Sequence, residues 1–346
     1  HNSPLGGGRL YATQHFGGAD SKTNSDGKLV DLYVVTKVYA GSSTATSVDT
    51  YTGFRYNTWS QKIATGTISD NKLKVKIPDN RVYNRNDKSE YIYISDAVDA
   101  SSSSDVIELW PGKYRENVVI NKRLTIIGSG QSKTIVDGDY AASVFKFDNY
   151  QTDYSIIKNL RVSHSKTGTS NCGSASTYGG IHLYYSDHVT INNVHFFETY
   201  NGLMTYASTN LRVQNSTFDK GTVSGYYGMS ICGTSGTTST QSHYLIENNE
   251  VKKYNIGIGL QQLYEDINVY NNHIHNNSNY GIYINSVYYH LVDDHLEIVG
   301  NQIVDNRYGL SKGTSSSYGR YVLFKDNLVK SNSDYGLYCY YYCQVW

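Results

Sequence analysis

From residue 157 onward, apolar and polar positions follow one recurring phrase, apolar-x-Asn-x-x-apolar. Its copies run from Ile157 to Val162, Ile191 to Phe196, Val213 to Phe218, Ile246 to Val251, Val269 to Ile274, Ile298 to Ile303 and Phe324 to Val329. The third position is Asn159, Asn193, Asn215, Asn248 and Asn271 in the first five copies, then Gly300 and Asp326. A second phrase follows each first one: a Gly, then apolar-x-apolar, beginning at Gly180, Gly202, Gly228, Gly257, Gly281, Gly309 and Gly336. Period-two alternation inside each phrase predicts short strands, and the Gly and Asn between them predict tight turns. Short strands in a unit recurring every 22 to 34 residues predict the coils of a parallel β-helix. Length varies mainly between phrases, as at 163–179 and 219–227, which predicts loops projecting from one edge.

The repeated Asn has an expected task in such a fold. An inward-facing amide can satisfy backbone groups at a turn that recurs in every coil, and it can bond to the Asn one coil above. Asn159, Asn193, Asn215, Asn248 and Asn271 are therefore expected to form a structural ladder.

Upstream, residues 91–138 present a short helix at Ile94–Ala100, an apolar strand at Val106–Leu109, the turn Pro111-Gly112-Lys113-Tyr114 and a strand-rich run from Glu116 to Gly128. This order resembles the opening of right-handed parallel β-helix proteins of the pectin-lyase-like superfamily, especially the branch with NosD-type repeats. The resemblance spans residues 88–346. It implies an all-β, right-handed parallel β-helix with one short capping helix and an N-terminal β extension. It implies little about activity, since the architecture hosts lyases, hydrolases, esterases, epimerases, adhesins and structural proteins. Ile94 and Val98 share a helix face and can close the first coil. At the other end the chain finishes in a strand phrase running to Trp346, without a polar cap.

Residues 1–87 lack the repeat. Residues 28–40, 61–69 and 72–78 alternate and are rich in Val, Ile and Tyr, so they are expected to be strands. Residues 1–27 are polar and Gly-rich and are expected to be an arm.

Composition narrows the partners. Lys+Arg and Asp+Glu are both 30, so the formal net charge is zero and the basic footprint of a nucleic-acid binder is missing. No apolar run reaches the length of a membrane span. Tyr is over-represented, with 35 copies against 8 Phe, which moves attention to ring-bearing surfaces. The chain begins at His1 without a leader, which is expected of a mature secreted or cell-surface protein. Four cysteines, Cys172, Cys232, Cys339 and Cys343, permit disulfides. Counting from the repeat Gly turns Cys339 inward and Cys232 outward. A Cys339–Cys343 bond requires a turn at 340–342, because an extended strand would hold their Cα atoms roughly 13 Å apart. Sequons at Asn215 and Asn276 are too short a signal to assign glycans.

Candidate chemistry is sparse. The adjacent pair Asp293-Asp294, followed by His295, is expected to be a solvated loop, because neighbouring strand residues point to opposite faces. His273 and His275 flank Ile274 and would face outward together, as a metal pair would, but no carboxylate or Cys stands nearby in sequence. No catalytic residue, metal ligand or cofactor is therefore assigned, and calcium has no locatable site. The outward positions after each repeat Gly carry Tyr184, Tyr206, Tyr283, Tyr338 and Tyr340. Tyr184 and Tyr206 should stack from coil to coil, giving a surface for sugar rings or a neighbouring subunit. The expectation from sequence is a secreted structural protein that assembles with itself head-to-tail, with Leu337 and Trp346 at the growing end. The alternative is a polysaccharide-acting lyase or hydrolase, or a polysaccharide-binding protein.

Overall fold

The computed structural model describes residues 9–15, 32–39, 47–54, 58–69, 72–74, 81–168, 178–233, 243–264, 266–288, 296–313, 322–339 and 343–345, with side chains within Arg81–Cys339. The chain divides into two units, His1–Asp79 and Asn80–Trp346. The first holds a five-stranded antiparallel sheet of Arg9–His15, Leu32–Tyr39, Ser47–Phe54, Thr58–Ser69 and Lys72–Lys74, paired in chain order. The expected arm thus contributes a strand, and Ser47–Phe54 is a further one. Both alternate too weakly between apolar and polar residues to be read without their partners.

The second unit is a parallel β-helix. Each coil of the repeat contributes one strand to a nine-stranded sheet and two shorter strands, or one long bent strand, to a larger sheet. The sequence phrases are the register. Ile107, Ile126, Ile157, Ile191, Val213, Ile246, Val269, Ile298 and Phe324 pair one above another through nine levels. Val162, Phe196, Phe218, Val251, Ile274, Ile303 and Val329 form a second inward row. Ile181, Leu203, Met229, Ile258, Ile282, Leu310 and Leu337 form a third. All three lie in one continuous core, where Phe196 and Phe218 stack at 4.2 Å between ring centroids. The repeat glycines are needed for close approach: a Cβ on Gly228 would stand 2.6 Å from the Gly257 carbonyl oxygen.

The helix Ile94–Ala100 closes the first coils with Ile94, Ala97 and Val98 buried. Its N-terminus is capped from a distance. Glu116 accepts from the Ile94 and Ser95 amides at 2.8 and 3.0 Å, placing a carboxylate where the helix dipole favours it.

The Asn ladder exists, but one residue later than expected. Asn159, Asn193, Asn215, Asn248 and Asn271 all have positive φ, between 52° and 60°, and none of them is buried. They form the left-handed bend between the two strands of each coil, a conformation that Asn tolerates far better than most residues. Of the five, only Asn193 and Asn159 bond to each other, at 2.9 Å. The buried ladder runs through Ser216, Asn249, Asn272, Asn301 and Asn327. Asn272 Oδ1 accepts from both the Asn249 amide and its side chain at 3.0 Å, and Asn272 Nδ2 donates to the Ile246 carbonyl at 2.9 Å. A second ladder, Asn277–Asn306–Asn332, repeats this at the next turn.

The cysteines also depart from expectation. Cys232 points outward yet is fully buried, and both it and Cys339 are disulfide-bonded. They lie four coils apart, so they are not each other's partners. The strand Tyr335–Cys339 pairs in the nine-stranded sheet and Cys343–Val345 in the other, while residues 340–342 lie outside the described residues.

Two predictions follow from burial. Replacing Asn272 by Ala strands several buried polar groups and should cost at least about 3 kcal/mol in urea unfolding; Asn271→Gly, one residue away at the bend, should cost only a few tenths. His182 is 2% exposed, and its Nε2 has no hydrogen-bond partner. Burial, reinforced by Lys146 and opposed by Asp148, pushes its pKa down from 6.5 to about 4. The unfolded chain therefore binds this proton more readily between those values. Stability should be intact above pH 6.5 and fall by up to roughly 3 kcal/mol as pH drops toward 4. His182→Asn should remove that part of the pH dependence in denaturation series at successive pH values.

Candidate functional site

Outward positions of the larger sheet gather the ionisable groups. Strand pairing aligns Lys113, Ile135, Arg161, His195, Thr217, Glu250, His273 and Gln302 in one row along successive coils. A parallel row, two residues on, holds Asp137, Ser163, Phe197, Asp219, Lys252 and His275. Because like positions stack about 4.8 Å apart, these rows form a continuous strip along the coil axis.

Near the N-terminal end of the strip, His164 bridges three coils. Its Nδ1 lies 2.9 Å from Asp137 Oδ1 and its Nε2 3.1 Å from Glu198 Oε2. Lys113 Nζ adds an ion pair to Asp137 at 2.6 Å, and Thr222 donates to Glu198 at 3.0 Å. Burial works against the Asp137 charge, but the Lys113 ammonium, the Asp139 amide and His164 outweigh it and hold the carboxyl below its ordinary range. His164 and Glu198 both have positive φ, 57° and 53°. With both ring nitrogens engaged, His164 works as a brace between coils.

Arg161 and His195 come next. The Arg161 guanidinium sits 4.3 Å from the Phe197 ring centroid, and among the described residues it has no carboxylate partner. Burial first and Arg161 second push the His195 pKa down, so its ring is neutral at neutral pH. Arg161 Nε and His195 Nε2 are covered without a hydrogen-bond partner. The strip therefore carries a ring-supported cation that no carboxylate among the described residues neutralises.

Further along, Glu250, His273 and His275 converge. Their ligand-capable atoms all lie within 4.8 Å of one another. The two imidazoles stack at 4.0 Å, and His275 Nε2 is 3.1 Å from Glu250 Oε1. Sequence reasoning saw the two histidines but missed the carboxylate, which comes from the preceding coil through the pairing of Glu250 with His273. The spacing of the repeat copies could have supplied it, since Glu250 and His273 occupy the same place in consecutive phrases.

On the nine-stranded sheet Tyr184 and Tyr206 do stack, at 5.5 Å and 21°. Tyr283 packs against Tyr280, and Tyr338 is exposed beside Tyr335. A longer tyrosine row went unread: Tyr280, Tyr308 and Tyr335 stack at 5.0 and 6.0 Å, each on the residue before a repeat Gly. Leu337 is half-buried against the core. Tyr340, Trp346, Asp293, Asp294 and His295 lie outside the residues whose side chains are described. No described helix is long and apolar enough to cross a membrane.

Several solved structures are similar to this chain. The A-module of the Azotobacter vinelandii mannuronan C-5 epimerase AlgE4 shares 15% identity, with a TM-score of 0.39 over 73% of this chain and 93% of that one. The Streptococcus pneumoniae surface protein and adhesin PfbA shares 12%, with a TM-score of 0.29 over 73% and 95%. The catalytic domain of an alpha-1,3-glucanase shares 11%, with a TM-score of 0.29 over 69% and 63%. At these levels none of them bears on what this chain does. No curated protein matches it. Residues 179–345 match the family described as "Right handed beta helix region", and with the stacked coils around them they make the second unit a right-handed parallel β-helix.

Proposed function

We propose that the protein binds an acidic polysaccharide along the outward strip of the larger sheet, with Arg161 as the anchor for a carboxylate. The observation that carries this reading is the Arg161 guanidinium on the Phe197 ring, without a carboxylate partner among the described residues, in a row that repeats once per coil. Arg presents a planar fork that matches a carboxylate, and a ring beneath it fixes the fork at low entropic cost. A linear strip suits a linear polymer, and Thr217 and Gln302 add uncharged hydrogen-bonding groups for sugar hydroxyls. Disulfide bonding of Cys232 and Cys339 supports a place outside the reducing cytoplasm, in secretion or at a cell surface.

Self-assembly is the second reading. It is favoured by the apolar and ring surface of the coil that holds Leu328, Tyr335 and Tyr338, which are 52%, 55% and 42% exposed. Light scattering at high concentration separates the two: a monomer at native pH removes this reading.

For the first reading, calorimetric titration with polygalacturonate or alginate should show binding that weakens with salt, whereas dextran should not bind. Arg161→Ala should weaken binding by about 10- to 100-fold, the equivalent of one lost charge-assisted contact. Equal binding of the neutral polymer, or an unchanged Arg161→Ala protein, contradicts the proposal.

A further inference from the structure

The cluster of Glu250, His273 and His275 lies three to four coils beyond Arg161 and has no part in the polysaccharide reading. We propose that these three side chains form a binding site for one late first-row divalent metal ion, with zinc the best fit. Two imidazoles and one carboxylate are the donor set such ions favour over calcium or magnesium, which prefer oxygen. Three protein ligands leave a fourth tetrahedral position open to solvent or to a ligand's oxygen.

The backbone prepares the geometry. His273 and His275 are two apart on the strand His273–His275, so both project outward while Ile274 enters the core. Glu250 stands opposite His273 on the neighbouring coil. Zinc bonds of about 2.0–2.1 Å place adjacent donors roughly 3.3 Å apart. His275 Nε2 and Glu250 Oε1 are already 3.1 Å apart, and the whole set lies within 4.8 Å. Closing the remainder needs side-chain rotation only.

Two neighbours bear on occupancy. Asn276 Nδ2 lies 2.8 Å from His275 Nδ1. Turning that amide over would present its oxygen to an Nδ1–H, freeing Nε2 for the metal and fixing the ring, as supporting groups around metal sites commonly do. Lys252 Nζ lies 2.9 Å from Glu250 Oε1 and competes for the same oxygen, yet it also lies 3.8 Å from Asp219 Oδ2. It can move to Asp219 when an ion arrives, so releasing Glu250 does not strand a charge.

The test uses untagged full-length protein stripped of metal. Zinc chloride titration followed by calorimetry should give one ion per chain, and cobalt(II) should develop the visible absorption of a tetrahedral site. His273→Ala and His275→Ala should each weaken zinc by at least about 100-fold, and Glu250→Gln by about 10- to 100-fold. Lys252→Met retains all three ligands and removes the competitor, so it should tighten zinc several-fold. That last variant keeps the inference falsifiable if a ligand variant misfolds. Zinc affinity unchanged in Lys252→Met, equal in wild type and a His273→Asn/His275→Asn double variant, or matched by calcium would overturn the assignment.

Discussion

Parallel coils stacked in register place each side chain over its counterpart one coil away, about 4.8 Å distant. Inside, this constraint turns the repeated apolar positions into continuous rows from Ile107 to Phe324. It also brings each buried polar group against the residue at the same position one coil away, which from Asn249 to Asn327 is another Asn. Asn suits that position because its amide both donates and accepts, so each residue serves the coil on either side. Asn249, Asn272 and Asn301 are almost fully buried and fully bonded. Outside, the same stacking lines up whatever the sequence supplies, and the supply differs between faces: rings on the nine-stranded sheet, ionisable groups on the larger one.

How much of this can be read from the chain depends on whether the signal is local. The inward rows are local, since alternation within each phrase marks them and the phrase spacing sets the register. The helix Ile94–Ala100 is likewise marked by Ile94 and Val98 four apart. The identity of the buried Asn is subtler. The third position of the phrase is Asn, Gly300 or Asp326, the residues that tolerate positive φ, while the fourth is Leu160, Val194 and Ser216 in early copies and Asn in later ones. An inward position accepts either an apolar residue or a laddered amide, and a left-handed bend accepts neither Leu nor Val readily. That contrast separates the two positions, although each looks Asn-rich when counted alone.

The outward strip was harder to read because its members come from different coils. His164 gains its role from Asp137 and Glu198, 27 and 34 residues away. Glu250 meets His275 across 25 residues. Nothing within a single phrase predicts these meetings; only superposing successive phrases does. Arg161 stands out for the same reason, since its guanidinium rests on the Phe197 ring from the next coil and among the described residues meets no carboxylate.

The central claim is that this strip, and not the tyrosine rows, is the polymer-binding surface. A crystal structure of the protein with a bound uronate oligosaccharide tests it most directly. The account predicts a sugar chain running along the coil axis over the larger sheet, with one carboxylate on the Arg161 guanidinium. A sugar chain lying instead on Tyr280, Tyr308 and Tyr335, or crossing the coils away from Arg161, would contradict it.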